Sequence, residues 1–409
     1  MRSIALTVLI LILILLFRVL FIPFTTSRYE VGEEVVIEGI VWDEPRRSQY
    51  SQRFELKNIV ISVPEYPEYS FGDTVIVKGV VEINEFTTEK GEIIQEKIVK
   101  NPDISVQPSS FMLKSVTYSL NTIVTIIKKY LPASEAALIA GITLGIRSEF
   151  SKPLLDAFTA TGILHVVAAS GSNVALLTSV VLFSLNTLIT RKLAIVFTIA
   201  IVGWYALLSG FDPPIVRASI MALFVLIAQM FGRQSYSWFI LCITVWIMLL
   251  VDPLLITNIG FQLSVGATVG IISIKPLLDR IMVKSFILKD DFSTTIAAQL
   301  ATLPILFGVF GNFSPLSILV NLLVLWTVPI IMILGLFSSI GALLHESLAI
   351  PFLYSAYPFL VYFLTVIEIT RPYVLPLSLS DFNIYLTISY YAFIASLYIF
   401  FNKRRYEKS

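Results

Sequence analysis

The sequence predicts a polytopic α-helical membrane protein of about ten crossings, with broken or re-entrant helices and an inserted, small OB-like β-barrel domain outside the cytoplasm. Three observations lead to this fold class. The chain of 409 residues is 56% hydrophobic. Only 14% of its residues are charged, whereas soluble domains contain about 25%. Apolar runs of membrane-spanning length alternate with short polar segments through most of the chain.

Charge is distributed unevenly along the chain. Residues 28–109 contain 9 Lys and Arg against 16 Asp and Glu, a net charge of −7, while the rest of the chain has a net charge of +8. An acidic, polar block is thus inserted into a basic, apolar protein, which predicts two domains in different solvents. The chain has two His and one Cys, Cys242, so the sequence offers no His/Cys zinc cluster, and we expect no metal and no cofactor.

Segment 1–23 is predicted to be an N-terminal transmembrane anchor. Its apolar stretch Ile4–Ile22 has 19 residues and a single charge, Arg18. That length spans a bilayer, exceeds the apolar core of a signal peptide and is followed by no small-residue cleavage site. We therefore expect this segment to remain in the membrane.

The next segment, 24–109, is predicted to be the extracytoplasmic β domain. Its runs are rich in Val and Ile, alternate in part between apolar and polar residues, and are bounded by Gly, Pro and charged turns. Two similar sequences occur within it, VGEEVVIEGIV from Val31 and FGDTVIVKGVV from Phe71. A closed barrel of about five strands, as in the OB-fold, accounts for the pattern. A small β-sandwich accounts for it nearly as well.

The remainder of the chain is predicted to be helical. Residues 110–131 form an amphipathic connecting helix, which lies along the membrane interface or packs on the membrane domain. The polytopic membrane domain follows over 132–402, and a basic cytoplasmic tail occupies 403–409. The predicted spans are 173–190, 193–209, 215–231, 236–251, 255–274, 293–311, 316–343, 350–369 and 384–402.

Basic residues between these spans predict the orientation. Arg191, Lys192, Arg233, the segment 275–289 and the C-terminal tail all fall at the same end of the alternating spans. Cytoplasmic loops are enriched in Lys and Arg, so we expect this set in the cytoplasm. The chain is then a multi-pass protein of the cytoplasmic membrane, with both termini in the cytoplasm and the β domain outside.

The segment 132–172 does not fit this alternation as a single span. It is apolar in pieces but carries several charges, which predicts broken or re-entrant helices buried in protein or lining a water-filled cavity. The break before the span at 173 contains His165, Ser170, Gly171, Ser172 and Asn173. We expect the glycine to let the backbone turn and the Ser and Asn side chains to satisfy freed amide groups. A helix N-terminus of this kind favours an anion or a polar substrate.

Arg217 directly follows the sequence GFDPPIV. Asp212 is the predicted N-cap of the next helix, and Pro213 and Pro214 occupy its first positions. An ionisable group inside a span usually faces the bundle interior and pairs, and Asp212 is the nearest candidate partner. The alternative is that Arg217 snorkels to the membrane interface.

Further polar residues fall at or inside the predicted spans. Taken singly, each of these residues is explained by packing and hydrogen bonding between neighbouring helices. Together they predict a polar bundle interior, as a hydrophilic pathway for a substrate requires. The sequence also predicts that the helix carrying Gln299 breaks at Pro304. The residues assigned to the pathway here are Asn258, Gln262, Ser264, Gln299 and Asn321.

Several of these motifs, in this order, resemble the ComEC competence proteins, which form the DNA-uptake channel of the inner membrane. The similar stretches are TGILHVVAASGSNVALL, GFDPPIVRASIMA, DPLLITNIGFQLSVGATVGI and QLATLP with FGNFSPLSILVNLLV. The resemblance covers nearly the whole chain, including the anchor and the OB-like domain. The family motif residues fall on His165, Ser170, Gly171, Arg217, Ala218, Gly260, Phe261, Gln262, Leu263, Ser264 and Asn321. Many members have His where this chain has Asn173.

The resemblance implies a channel for single-stranded DNA during natural transformation, with membrane lipid, a DNA receptor, a cytoplasmic translocation ATPase and a separate nuclease as partners. Long members end in a metallo-β-lactamase-like domain, and this sequence resembles a short form without it, so we expect no enzymatic activity. Stacking and basic residues in the β domain offer a possible DNA contact, although the domain is acidic. These residues are Trp42, Arg46, Arg47 and Arg53.

Two other functions compete with the channel. The sequence AASG is similar to the nucleophile box of rhomboid intramembrane proteases, in which Ser170 would be the nucleophile and His345 the base. His345, however, lies in a predicted cytoplasmic turn, whereas Ser170 lies toward the opposite face. A small-solute transporter with broken helices also accounts for a polar bundle interior.

Overall fold

The computed structural model describes residue 18 and residues 31–41, 45–47, 51–56, 59–69, 72–87, 93–107, 111–146, 148–167, 170–281, 289–310, 312–313, 316–373, 377–378, 386–394 and 396. It confirms a mainly helical protein with a β domain near the N-terminus. The predicted anchor over 1–23, apart from Arg18, lies outside the described residues. So do the predicted tail over 403–409 and the candidate DNA contact Trp42.

The β domain is a seven-stranded, curved sheet. Its strands are β1 (Glu34–Ile40), β2 (Arg46–Arg47), β3 (Ser51–Leu56), β4 (Ile59–Pro64), β5 (Thr74–Thr87), β6 (Ile93–Lys100) and β7 (Asp103–Gln107). Alternate residues of β1, β3 and β4 are buried, as expected where one face of a sheet covers a core. The buried face contributes Ile37, Phe54, Ile61, Val75 and Val99 to one apolar cluster.

The long strand β5 organises the sheet. Residues 74–80 of β5 pair with β1, residues 74–78 also pair with β7, and residues 81–87 pair with β6. The order β1-β5-β6-β4-β3-β2 ends at β1 and β2, which do not pair with each other among the described residues. The described strands therefore form a half-barrel of seven strands, and closure into the OB-like barrel of about five strands stays a prediction.

Gln52 on β3 fixes the loop that follows β4. This side chain is fully buried. Its Nε2 donates toward the carbonyl oxygens of Pro64, Glu65 and Pro67, at 3.0, 2.6 and 2.9 Å, and its Oε1 accepts from the Tyr69 N–H at 3.1 Å. One buried amide thus ties the backbone of the loop 64–69 to β3.

The helical part consists of many helices with short connections. They are α1 (Phe111–Tyr130), α2 (Ala133–Leu144), α3 (Lys152–Ala160), α4 (Leu164–Val167), α5 (Gly171–Asn186), α6 (Arg191–Leu208), α7 (Pro213–Met230), α8 (Ser237–Val251), α9 (Ile259–Ser273), α10 (Lys275–Ile281), α11 (Lys289–Phe310), α12 (Leu316–Val324), α13 (Thr327–Leu344) and α14 (Glu346–Thr370). Two short strands, β8 (Asn312–Phe313) and β9 (Leu377–Ser378), also pair.

Five helical stretches of the described residues are long and apolar enough to cross a membrane. They are Arg191–Leu208, Pro213–Met230, Ile259–Asp279, Thr327–Leu344 and Glu346–Tyr373. Four shorter apolar helices lie among them. The number of crossings and the orientation stay predictions.

The segment 132–172 is broken, as predicted, into α2, α3 and α4. The predicted single span 316–343 is wrong, because the structure divides it into α12 and α13. The turn at Leu325 and Trp326 separates them, and the Thr327 hydroxyl donates to the Val324 carbonyl at 2.7 Å. The Trp326 ring packs against Phe359 and Tyr362 of α14, which holds this turn in place.

The predicted break at Pro304 is also wrong, because α11 continues through this residue. Proline has no N–H, so it leaves the carbonyl four residues earlier, that of Leu300, without a partner inside the helix. The Tyr390 hydroxyl donates to this carbonyl at 2.8 Å, and the Tyr391 hydroxyl donates to that of Ala301 at 2.9 Å. A hydroxyl from a distant segment thus replaces the missing amide.

The connecting helix α1 packs on the membrane domain. Its apolar residues Val116, Leu120 and Ile127 belong to the same core as α13 and α14. At its end, Lys129 Nζ and Tyr130 Oη both donate to Glu346 Oε1, each at 2.5 Å. The hydrogen bond to Glu346 raises the pKa of Lys129. Of the two predicted positions for α1, the structure favours packing on the membrane domain.

We predict that Gln52→Leu loosens the β domain. The substitution keeps the side-chain volume but removes the hydrogen bonds between this amide and the loop 64–69, and a typical hydrogen bond contributes about 0.5–1.5 kcal/mol to stability. Limited proteolysis of the full chain in detergent should then cleave the loop 64–69 faster than in the unsubstituted protein. The exposed Gln107, changed to Leu, is the matched control and should leave the cleavage rate unchanged. Equal cleavage of both variants would contradict this role for Gln52.

Candidate functional site: a buried arginine among helix N-termini

The break before α5 joins two helix ends. Ser170 is the N-cap residue of α5, with extended backbone (φ −114°, ψ 162°), but its side chain caps no amide. Its Oγ instead lies 2.7 Å from Ser172 Oγ and donates to Asn173 Oδ1 at 3.1 Å. Asn173, which is 1% exposed, donates from Nδ2 to the Ile142 carbonyl at 2.9 Å.

This arrangement differs from the predicted one. Ile142 lies in the last turn of α2, where carbonyls have no N–H partner within the helix. Asn173 therefore satisfies the end of another broken helix and not the start of its own. The Ser170 hydroxyl orients Asn173 for this contact. The expectation that Ser170 satisfies a freed amide group is wrong.

Arg217 lies in the first turns of α7 and is 7% exposed. Its Nε donates to Ser264 Oγ at 2.8 Å, and its Nη1 donates to Thr268 Oγ1 and approaches Met221 Sδ at 3.3 Å. Ser264 and Thr268 are one turn apart on α9, so one face of α9 holds the guanidinium. The side chain points into the bundle and does not snorkel.

The predicted pair with Asp212 does not form. Within the described chain, the polar contacts of Arg217 are with the hydroxyls of Ser264 and Thr268 and the sulfur of Met221, and no carboxylate contacts it. Asp212 is the N-cap residue of α7, and Pro213 and Pro214 follow it as predicted, but the Asp212 side chain makes no capping bond. The guanidinium charge is thus buried without a counter-ion among the described residues.

The third guanidinium nitrogen, Nη2, points at the start of α5. A Cβ atom on Gly171 would lie 2.7 Å from Arg217 Nη2 and 3.3 Å from Ala218 Cβ. The glycine is needed here because any larger residue would displace the arginine. The family motif residues Gly171 and Arg217, 46 positions apart in the sequence, therefore lie in contact.

A third helix start joins this contact. A Cβ on Gly260, in the first turn of α9, would lie 3.9 Å from Pro214 Cδ of α7. The N-termini of α5, α7 and α9 therefore converge around Arg217. Each helix N-terminus carries about half a positive charge, and anions are stabilised there. The guanidinium adds a full positive charge, and no described carboxylate contacts it, so the arrangement suits a negatively charged group.

Two predicted pathway residues make local contacts at the start of α9. Asn258 Oδ1 accepts from the Phe261 N–H at 3.0 Å and caps α9. Gln262 Nε2 donates to the Ile256 carbonyl at 2.7 Å and closes the turn before α9. Both side chains shape the helix start that meets Arg217.

A second polar cluster lies between α11 and α12. Gln299 Nε2 lies 3.5 Å from Ser317 Oγ, and Asn321 follows Ser317 by one turn on the same face of α12. Asn321 is fully buried, and neither its Oδ1 nor its Nδ2 has a hydrogen-bond partner among the described residues. The same holds for Gln299 Oε1.

The broken segment connects the two clusters. Gly162, in the left-handed region at φ +73°, is placed so that a Cβ would lie 2.7 Å from Ser317 Cβ. Nine residues later, Gly171 contacts Arg217. His165 belongs to α4 between these two glycines, and its side chain lies outside the described part of the chain.

The protease arrangement is not formed. Ser170 Oγ contacts Ser172 and Asn173, whereas the His345 ring accepts from the Ser347 N–H at 3.2 Å as the N-cap of α14. Among the described contacts, Ser170 and His345 make none with each other.

In the β domain, the register pairs Arg46 with Arg53 and Arg47 with Gln52. Arg53 is exposed, so two basic residues are cross-strand neighbours at one end of the sheet. The backbone register therefore places Arg46 opposite Arg53 on β2 and β3. These two strands lie at the opposite end of the strand order from β1.

Sequence reasoning missed Thr268, Ser317 and Gly162. The spacing of Ser264 and Thr268, four residues apart on one helix face, was a usable signal for a two-hydroxyl contact. Ser317 and Asn321 have the same spacing. Gly162 has no comparable signal, because its role depends on a contact with a residue 155 positions away.

Comparison with known proteins agrees with these motifs. The 26% identity to ComE operon protein 3 of Bacillus subtilis (strain 168) extends over 218 residues, 53% of this chain and 28% of that protein. The 25% identity to the Uncharacterized protein YcaI of Escherichia coli (strain K12) extends over 220 residues, 48% of this chain and 28% of that protein. The chain thus spans well under half the length of these relatives. No solved structure matches.

A model of the family described as Competence protein matches residues 142–404. The matched region contains both polar clusters and all the helix N-termini around Arg217. It covers well over half of the sequence, so the chain belongs to the Competence protein family.

Proposed function

We propose that this membrane protein forms the pathway by which single-stranded DNA crosses the cytoplasmic membrane during natural transformation. One observation carries the proposal: the Arg217 guanidinium is buried at the meeting point of three helix N-termini, and no carboxylate of the described residues contacts it. The family supports a role in DNA uptake. The proposal assigns no catalysis to the chain.

The chemistry of the site fits a phosphodiester. A guanidinium presents a planar fork of donors that matches phosphate oxygens, and helix N-termini add amide donors and a favourable dipole. Ser264 and Thr268 occupy Nε and Nη1, which leaves Nη2 directed toward the start of α5. As a DNA strand moves past Arg217, Nη2 would release one phosphate and bind the next.

The orientation forms part of the proposal. The predicted alternation of spans puts the starts of α5, α7 and α9 on the extracytoplasmic side, and these three starts lie together. Arg217 would then lie near the outer mouth of the pathway. The β domain is acidic, with a net charge of −7, and places Arg46 opposite Arg53 in its described strands, so a gating or scaffold role is proposed for it beside a DNA contact.

We predict that Arg217→Ala lowers transformation about tenfold or more, because a hydrogen bond to a charged group is worth about 1.5–3 kcal/mol. The protein should still accumulate, since Thr268 Oγ1 keeps its bond to the Ser264 carbonyl at 2.9 Å. Arg217→Lys should be intermediate, because it keeps the charge and loses the fork. Transformation frequency and membrane abundance are measured in a transformable host that expresses only the variant.

The exposed Arg233, changed to Ala, is the control and should transform normally. Normal transformation by an abundant Arg217→Ala protein would overturn the phosphate contact. Loss of abundance in both the Ala and the Lys variant would instead show a structural role.

We also predict that Gly171→Ala impairs uptake without blocking insertion. The added methyl would displace Arg217 Nη2, now 2.7 Å from the Cβ position. Overpacking of this kind costs about 1–3 kcal/mol, which corresponds to a loss of about fivefold or more. Gly203→Ala is the matched control, because nothing lies within 4 Å of its Cβ position. Equal transformation by the two variants would contradict the contact between Gly171 and Arg217.

A further inference from the structure

Asn321 is the described side chain with the least satisfied hydrogen-bonding capacity. Eight buried side-chain polar atoms lack a partner among the described residues, and Asn321 alone contributes two of them, Oδ1 and Nδ2. Leaving a buried donor or acceptor unpaired is unfavourable, and more so among apolar helices. Such a group in a native structure calls for an explanation.

Packing between helices does not explain Asn321. Helix contacts through Asn and Gln normally satisfy the amide with a group on the neighbouring helix. Asn321 finds no such group, and Gln299, the next carboxamide, also has an unpaired Oε1. Two carboxamides on facing helices α11 and α12 therefore have free capacity in one cluster with Ser317.

We propose that Gln299 and Asn321 form a second substrate site, which hydrogen-bonds the edges of the bases as the strand passes. This inference rests on the proposed function. A carboxamide presents a donor and an acceptor side by side, and a base edge presents the complementary pair, as in the contact of Asn or Gln with adenine. A neutral amide gives phosphate no charge to bind, so this cluster complements the Arg217 site and does not duplicate it.

The broken segment gives both sites a common wall. Gly162 contacts Ser317 of the carboxamide cluster, and Gly171 contacts Arg217. A strand that passes from Gly162 to Gly171 would meet carboxamides at one end and a guanidinium at the other. Backbone and bases are thus held by different groups.

The test compares two strands with the full chain purified in detergent. One is a normal strand of about 12 nucleotides, within the range of known single-strand sites, and the other is an abasic strand of the same length. The unsubstituted protein should bind the normal strand about tenfold or more tighter, the effect of one good bidentate contact. Asn321→Leu should abolish this difference and leave the abasic strand unaffected, and Gln299→Leu should reduce it.

A thermal unfolding measurement without DNA accompanies the binding assay. If the Asn321 amide is unpaired, Asn321→Leu removes a buried polar group and should keep or raise the melting temperature. Asn186, exposed at the end of α5 and changed to Leu, is the control for binding. A clear fall in melting temperature, or a strand preference that persists in Asn321→Leu, would overturn the base contact.

The outcomes separate the two proposals. Equal, measurable binding of both strands by the unsubstituted protein would overturn the base contact and leave the phosphate pathway standing. Equal weakening of both strands by Asn321→Leu would also overturn it, because the residue would then act through the structure. Absence of binding to either strand would overturn the pathway and the base contact together.

Discussion

The constraint on which the structure of this protein depends is the buried Arg217 cation, which has no carboxylate partner in the part of the chain that the structure describes. Taking an arginine out of water costs several kcal/mol unless other groups compensate it. Here the hydroxyls of Ser264 and Thr268 accept hydrogen bonds from the guanidinium. The partial positive charges at three helix N-termini, in contrast, destabilise the buried cation. Folding alone would favour a carboxylate or an apolar residue at this position. An arrangement that costs stability in this way is typical of a site that is completed by an anion.

The second constraint comes from the membrane, where each freed backbone group must find a partner. This chain meets it with side chains from distant segments. Asn173 satisfies the end of α2, and Tyr390 satisfies the Leu300 carbonyl that Pro304 releases. The breaks between α2 and α5 let the chain change direction within the bundle and place Gly162 and Gly171 against polar side chains of other helices. The broken segment therefore also contributes to the candidate site.

Much of the helical layout follows from the sequence. Apolar runs of bilayer length, the charges within 132–172 and the residues Asp212, Pro213 and Pro214 predicted the helices, the broken segment and the start of α7. What sequence reasoning could not supply are contacts between distant positions. Asn173 and Ile142 are 31 residues apart, and Tyr390 and Leu300 are 90 residues apart. Proximity in sequence favoured Asp212 as the partner of Arg217, but packing of α7 on α9 brought hydroxyls to it instead.

The most direct test of the central claim is the salt dependence of strand binding by the purified chain. Each phosphate contact adds about 0.7 to the slope of log affinity against log salt for single strands. Relative to the unsubstituted protein, Arg217→Ala should bind a short single strand with a slope shallower by about 0.7, the value for one lost contact. Arg191→Ala, at an exposed position, should keep the original slope. An unchanged slope in Arg217→Ala would contradict a contact between this buried arginine and the DNA backbone.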